Sequence, residues 1–103
     1  MVVEIEAREL RERLEAGDDI YLLDVREPNE VAEWAFPDAV NIPLGELSSR
    51  AGELPQDRRI VVVCHAGVRS AAAAEALTGV GWPAESLAGG ALAWIAEERR
   101  FDR

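Results

Sequence analysis

The sequence predicts an α/β domain with a mainly parallel sheet, and three observations carry that expectation. Residues 20–25 (IYLLDV) and 59–64 (RIVVVC) are apolar almost throughout, the mark of strands covered by helices on both faces. Short strand-like runs alternate with helical patterns along the chain, which is the spacing of βαβ units. The 103 residues are 49% hydrophobic and 30% charged. That composition lies well outside the disordered regime and suits one compact domain over residues 1–103.

Each element has a local reason. Residues 2–5 are a short apolar run able to pair as a strand. Residues 7–16 set Leu10 and Leu14 four apart among Arg and Glu, with Glu9 and Arg13 placed to pair, and Gly17 follows as a helix stop. After the strand over 20–25, Pro28 opens a short helix through Trp34. Residues 39–42, held between Pro37 and Pro43, form a brief strand. A short helix over 44–54 is broken by Gly52 and stopped by Pro55. The strand over 59–64 precedes a helix over 69–80 that contains the alanine run 71–74 and ends at Gly79 and Gly81. Residues 84–87 give a last strand, Gly89-Gly90 a tight turn, and residues 91–100 a closing helix.

Charge and cysteine usage narrow the function. Eleven basic residues, all Arg, stand against 20 acidic ones, a net charge of −9 with a pI near 4.5. Nucleic acid and anionic membranes need clustered positive charge, so neither is an expected partner. No apolar run approaches the roughly 20 residues of a membrane span, and the N-terminus lacks the pattern of a secretion signal. The cytoplasm is the expected location. The lone cysteine, Cys64, cannot form an intramolecular disulfide. One Cys and one adjacent His fall short of a zinc ligand set, so no metal and no cofactor are expected.

In parallel sheets the ligand site lies at the carboxyl ends of the strands. The most apolar strand ends there in Cys64, followed by His65, Ala66, Gly67, Val68, Arg69 and Ser70 leading into a helix. A thiol at a helix N-terminus, in a loop whose Gly67 lets backbone N–H groups turn toward one point, is placed to ionise and to hold an anion. The plainer alternative is a small buried residue at a strand end. His65 is a candidate hydrogen-bond donor or local positive charge, against a solvated surface residue. Arg69 has two roles open to it, contact with an anion at the loop or an ion pair that fixes the loop.

These residues carry a family resemblance. Asp24-Val25-Arg26 with Glu30, then Pro37-x-Ala39-Val40-Asn41-Ile42-Pro43, then Val62-Val63-Cys64-x-x-Gly67-x-Arg69-Ser70, then Leu87-x-Gly89-Gly90-x-x-Ala93-Trp94 resembles a single-domain rhodanese, a sulfurtransferase, over nearly the whole chain. The resemblance implies a three-layer α/β/α domain with a five-stranded parallel sheet. It also implies a catalytic Cys64 that cycles through a persulfide, with the amides from His65 to Ser70 cradling the outer sulfur. The side chains of His65, Ala66, Val68 and Arg69 would tune the donor, and Asp24 and Arg26 would brace the site by ion pairing, the alternative being a solvated loop pair. The implied partners are a small anionic sulfur donor such as thiosulfate and an external acceptor: a thiol, cyanide or another protein. The chain departs from the family at Trp34-Ala35-Phe36-Pro37-Asp38-Ala39, where Gly-His-Ile-Pro-Gly-Ala is usual. Altered packing and a more hydrophobic rim are expected there, with Trp34 and Phe36 filling core, the alternative being a partner-docking role.

Two competing readings share this loop. Phosphatases and arsenate reductases of similar architecture use a Cys-x5-Arg loop, whereas Cys64 to Arg69 is Cys-x4-Arg, one residue short of surrounding a tetrahedral oxyanion, with no Asp in the loop to act as general acid. A persulfide carrier or regulatory module would have the same loop as an enzyme and differ in rate. Mercaptopyruvate-type enzymes resemble Cys-Gly-[Ser/Thr]-Gly-Val-Thr, unlike this loop. The charge is also uneven. Residues 1–57 hold 5 Arg against 15 acidic residues, net −10, and residues 58–103 hold 6 against 5, net +1. An acidic N-terminal half would suit a basic protein partner, and Arg69 with the helix N-terminus would supply local positive poles for an anion.

Overall fold

A computed structural model describes residues 1–101. Its strands are β1 (Val3–Ile5), β2 (Ile20–Asp24), β3 (Val40–Asn41), β4 (Arg59–Val63) and β5 (Ala84–Leu87). They form one five-stranded sheet in the order β1-β5-β4-β2-β3, and every adjacent pair is parallel. The helices are α1 (Ala7–Glu15), α2 (Pro28–Glu33), α3 (Leu47–Arg50), α4 (Val68–Gly79) and α5 (Gly90–Phe101).

Two apolar layers cover the sheet. Alternate side chains of β4, Ile60 and Val62, followed by Cys64, pack with Ala73, Ala74 and Leu77 of α4 and with Leu47 of α3. Val61 and Val63 face the other way, against Leu10 of α1 and Ala91 and Trp94 of α5. This is the period-two geometry of a strand buried on both faces. It explains why β2 and β4 read as nearly unbroken apolar runs and yields the expected α/β/α layering.

Most boundaries differ from expectation by a single residue, and three differences bear on the site or its surroundings. The region 44–54 is not one helix: 3-10 turns at Leu44–Glu46 and Ala51–Glu53 flank the single α-turn of α3, because Pro43, Gly45, Gly52 and Pro55 leave no uninterrupted stretch long enough to propagate a helix. β3 is only two residues long. α4 begins one residue early, at Val68, with Gly67 as its N-cap at φ 95°.

Candidate active site

Cys64 follows β4 and is 1% exposed. Its sulfur sits at the focus of the turn into α4. The Gly67 N–H donates to Sγ at 3.1 Å and the Ser70 N–H at 3.3 Å, and the Ser70 Oγ lies 3.4 Å away. Burial by itself pushes the Cys64 thiol up. The Ser70 hydroxyl and the N–H groups of Ser70, Gly67 and Ala66 hold the thiolate and bring the group to a net position below an ordinary thiol. All of these donors are formally neutral.

The loop is held from outside by the turn that starts α5. Ala91 N–H donates to the Cys64 carbonyl at 2.8 Å and Leu92 N–H to that of His65 at 3.2 Å. So two of the unpaired amides of a helix N-terminus serve to fix the cysteine loop. The approach is close enough to demand glycine. Gly90 has φ 57°, and a Cβ there would run into the Cys64 and His65 carbonyls. Gly67 likewise has its Cβ direction filled, by the Gly89 nitrogen at 2.9 Å. The Gly89-Gly90 turn therefore does more than connect elements.

Arg69 takes the second of its two roles. Its guanidinium grips Glu30 of α2 in a bidentate pair, with N–O distances of 2.7 and 2.9 Å. The Arg69 hydrogen bonds, joined by the one from the Glu27 N–H, pull the Glu30 carboxyl down to about 2. The expected positive pole at Arg69 is thus largely neutralised, and the backbone donors directed at the sulfur are the amides of Gly67 and Ser70. His65 and Ala66 are exposed, and Val68 is 77% exposed at the loop surface.

Asp24 and Arg26 are not a solvated loop pair. Asp24, the last residue of β2, accepts hydrogen bonds from the Arg26 Nε (3.0 and 3.1 Å), Nη2 (2.7 Å) and backbone N–H (2.9 Å), and both residues are buried. Arg26 also donates to the Trp34 carbonyl at 2.9 Å and lies 5.6 and 5.5 Å from the ring centres of Trp34 and Phe36. Asn41 of β3 locks the turn by donating to the Asp24 and Arg26 carbonyls, each at 2.9 Å. The pair thereby anchors the end of α2, which carries Glu30 to Arg69.

Phe36 is core, 3% exposed, and Trp34 is half-buried edge-on to it at 4.8 Å. Trp34 also lines an open pocket of about 270 Å³ beside His65, with Leu92 and Ile95 on its other wall. Arg26, Glu30 and Glu33 line the same pocket, so the rim next to the loop mixes apolar and charged side chains. A larger apolar groove of about 540 Å³ between α3 and α4, reaching Trp82, does not include Cys64. Among the described residues no cluster of three or more His, Cys, Asp or Glu could hold a metal ion, and no helix is long and apolar enough to cross a membrane.

Three contributors escaped the sequence reading: Glu30 as the partner of Arg69, Asn41 as the clip on the Asp24 turn, and Ser86 behind Ser70. Each is a polar residue at or near the end of an otherwise apolar or short element. That placement is a signal, but it names no partner.

The profile of the rhodanese-like domain matches residues 6–97. A putative sulfurtransferase of Bacillus subtilis is 36% identical over 98 residues, covering 95% of each chain. A sulfurtransferase of Allochromatium vinosum is 38% identical over 95 residues, covering 91% of this chain and 89% of its own. Among solved structures, a rhodanese-related protein from Thermoplasma volcanium superposes with a TM-score of 0.85 at 37% identity, covering 92% of both chains.

Proposed function

The chain belongs to the rhodanese-like family, and on that premise we propose that it is a sulfurtransferase working through a persulfide on Cys64. One observation carries the reading: the Cys64 sulfur lies at the focus of the Gly67 and Ser70 N–H groups and the Ser70 hydroxyl. Such an array stabilises a thiolate and leaves the loop amides to hold a terminal sulfur. In the first step the Cys64 thiolate attacks the sulfane sulfur of a donor such as thiosulfate. The donor S–S bond breaks, sulfite leaves with the electron pair, and Cys64 carries the transferred sulfur as a persulfide. In the second step an acceptor nucleophile, a thiolate or cyanide, bonds to the outer sulfur, and the Cys64 thiolate is the leaving group. This is two-step covalent catalysis with ping-pong kinetics.

Cys64 is the single cysteine of the sequence, so the acceptor is external: a small thiol, cyanide or another protein. His65, Ala66, Gly67, Val68, Arg69 and Ser70 form the substrate loop, and Asp24 and Arg26 support it through α2. The cytoplasm is the proposed location. A carrier role is favoured by one specific feature, the commitment of Arg69 to Glu30. That pairing leaves a small dianion with little more than backbone amides to hold it, whereas a persulfide on a partner protein brings its own docking contacts. A carrier would load far faster from such a partner than from thiosulfate.

The test is intact-mass measurement after incubation with thiosulfate, or with a small persulfide such as glutathione persulfide, followed by cyanide. A gain of one sulfur that cyanide removes, absent in Cys64→Ser, is the expected result. No gain from either donor, with turnover of a phosphate ester instead, would overturn the reading.

A further inference from the structure

Behind the cysteine loop lies a hydroxyl that the mechanism above does not use. Ser86 sits in β5, paired with Val62 of β4, on the sheet face that packs against α4. The surrounding layer is otherwise apolar: Ile60, Val62, Ala73, Ala74, Leu77 and Ala84. Ser86 and Ser70 are both fully buried, at 0% exposure. Their Oγ atoms are 2.8 Å apart, and Ser70 Oγ is in turn 3.4 Å from Cys64 Sγ. The three groups form a chain from the sheet centre to the nucleophile. A hydroxyl in such a layer is costly unless bonded, and what Ser86 bonds is Ser70.

We propose that Ser86 is a positioning residue for sulfur transfer: it fixes the Ser70 hydroxyl so that this group donates to the ionised sulfur of Cys64. Each serine has one proton and can also accept. When Cys64 is a thiol, its S–H can donate to Ser70, and Ser70 to Ser86. Once the thiolate forms, the sulfur only accepts. Ser70 then points its proton at Sγ and takes the Ser86 proton as its own hydrogen bond. The chain reverses direction with no heavy atom moving, and a hydroxyl that accepts one hydrogen bond donates the next more strongly. The same arrangement favours Cys64 as leaving group in the second step.

The proposal rests on Cys64 being the sulfur-transfer nucleophile, but its test reads the thiolate directly and needs no sulfur donor. Other charged or titratable groups near Cys64 are Asp24 and Arg26 at the end of β2, Glu30 of α2, and His65 and Arg69 of the loop. On this side α4 and β5 present Ser70, Ser86 and apolar side chains. Substitution at Ser86 leaves all five of these groups in place.

The experiment is titration of the thiolate by its ultraviolet absorbance in the wild type, Ser86→Ala, Ser86→Thr, Ser70→Ala and the Ser70→Ala/Ser86→Ala double variant. Ser86→Ala is expected to raise the midpoint by about half a pH unit, roughly a threefold smaller acid dissociation constant. Ser86→Thr, which keeps the hydroxyl, is expected to keep the wild-type midpoint. In the Ser70→Ala background the Ser86→Ala change is expected to add nothing, because the link to Cys64 is already cut. A wild-type midpoint in Ser86→Ala overturns the proposal. So does a shift of equal size in the Ser70→Ala background, which remains measurable if the single Ser86→Ala variant fails to fold, since the double variant leaves no orphaned hydroxyl. Loading by thiosulfate or glutathione persulfide, followed by mass, reports separately on the sulfur-transfer reading.

Discussion

Asp24→Asn removes one charge from the buried pair beside the site while keeping the shape of the side chain. In the native protein four Arg26 hydrogen bonds converge on the Asp24 carboxylate, at 2.7 to 3.1 Å, and the two side chains are only 4% and 2% exposed. Loss of one partner of such a pair strands the other charge in a medium that solvates it poorly, a cost of about 3–5 kcal/mol. An amide oxygen can still accept one of the Arg26 bonds, so the lower end applies, about 3 kcal/mol. That is a large part of the total stability of a domain this size, about 5–15 kcal/mol, and for 103 residues corresponds to a fall of roughly 12–24 °C in Tm. Equilibrium denaturation in urea, with the m-value checked against wild type, measures it. The double variant Asp24→Leu/Arg26→Met, which leaves no stranded charge, is expected to lose less than the single one. A cost below about 1 kcal/mol for Asp24→Asn would show that the pair behaves as a surface ion pair and refute the argument from burial.

Three further outcomes follow from the geometry. Glu30→Gln removes a carboxyl held at about 2 instead of its ordinary 4.5. A depressed carboxyl contributes stability that is present above pH 4.5 and is lost as the pH falls toward 2. The variant is therefore expected to be less stable than wild type at neutral pH and to converge with it in acid. Because the pair is about one-third exposed, solvent screening limits the difference to about 1 kcal/mol, and thermal melts from pH 7 to pH 2 follow it; parallel curves would contradict the assignment. Gly90→Ala forces a left-handed residue into the Cys64 and His65 carbonyls. It is expected to cost at least about 1–2 kcal/mol and to abolish persulfide loading, whereas Gly79→Ala, whose Cβ meets nothing within 4 Å, is a near-neutral control. Asp38 has φ 59° at a position where the family usually has glycine, so Asp38→Gly is expected to raise stability by about 0.5–1 kcal/mol, read from the urea midpoint.

The sequence by itself determined most of the elements and singled out the thiol that heads α4. Apolar runs without alternation identified β2 and β4 as strands covered on both faces. The strand-Cys64-Gly67-helix order placed the thiol at the helix start, because a thiol and its amide donors are separated by two to six residues and follow from local turn chemistry. What only the tertiary structure decided are the contacts between elements. Arg69 meets Glu30 across 39 residues, and Ser70 meets Ser86 across 16. Both depend on the strand order β1-β5-β4-β2-β3, which sets β4 between β2 and β5. A side chain's partner across a sheet is fixed by which strands are neighbours and in what register, and local periodicity carries neither. For the same reason the sequence left two roles open to Arg69, and in the fold its charge is taken up by Glu30.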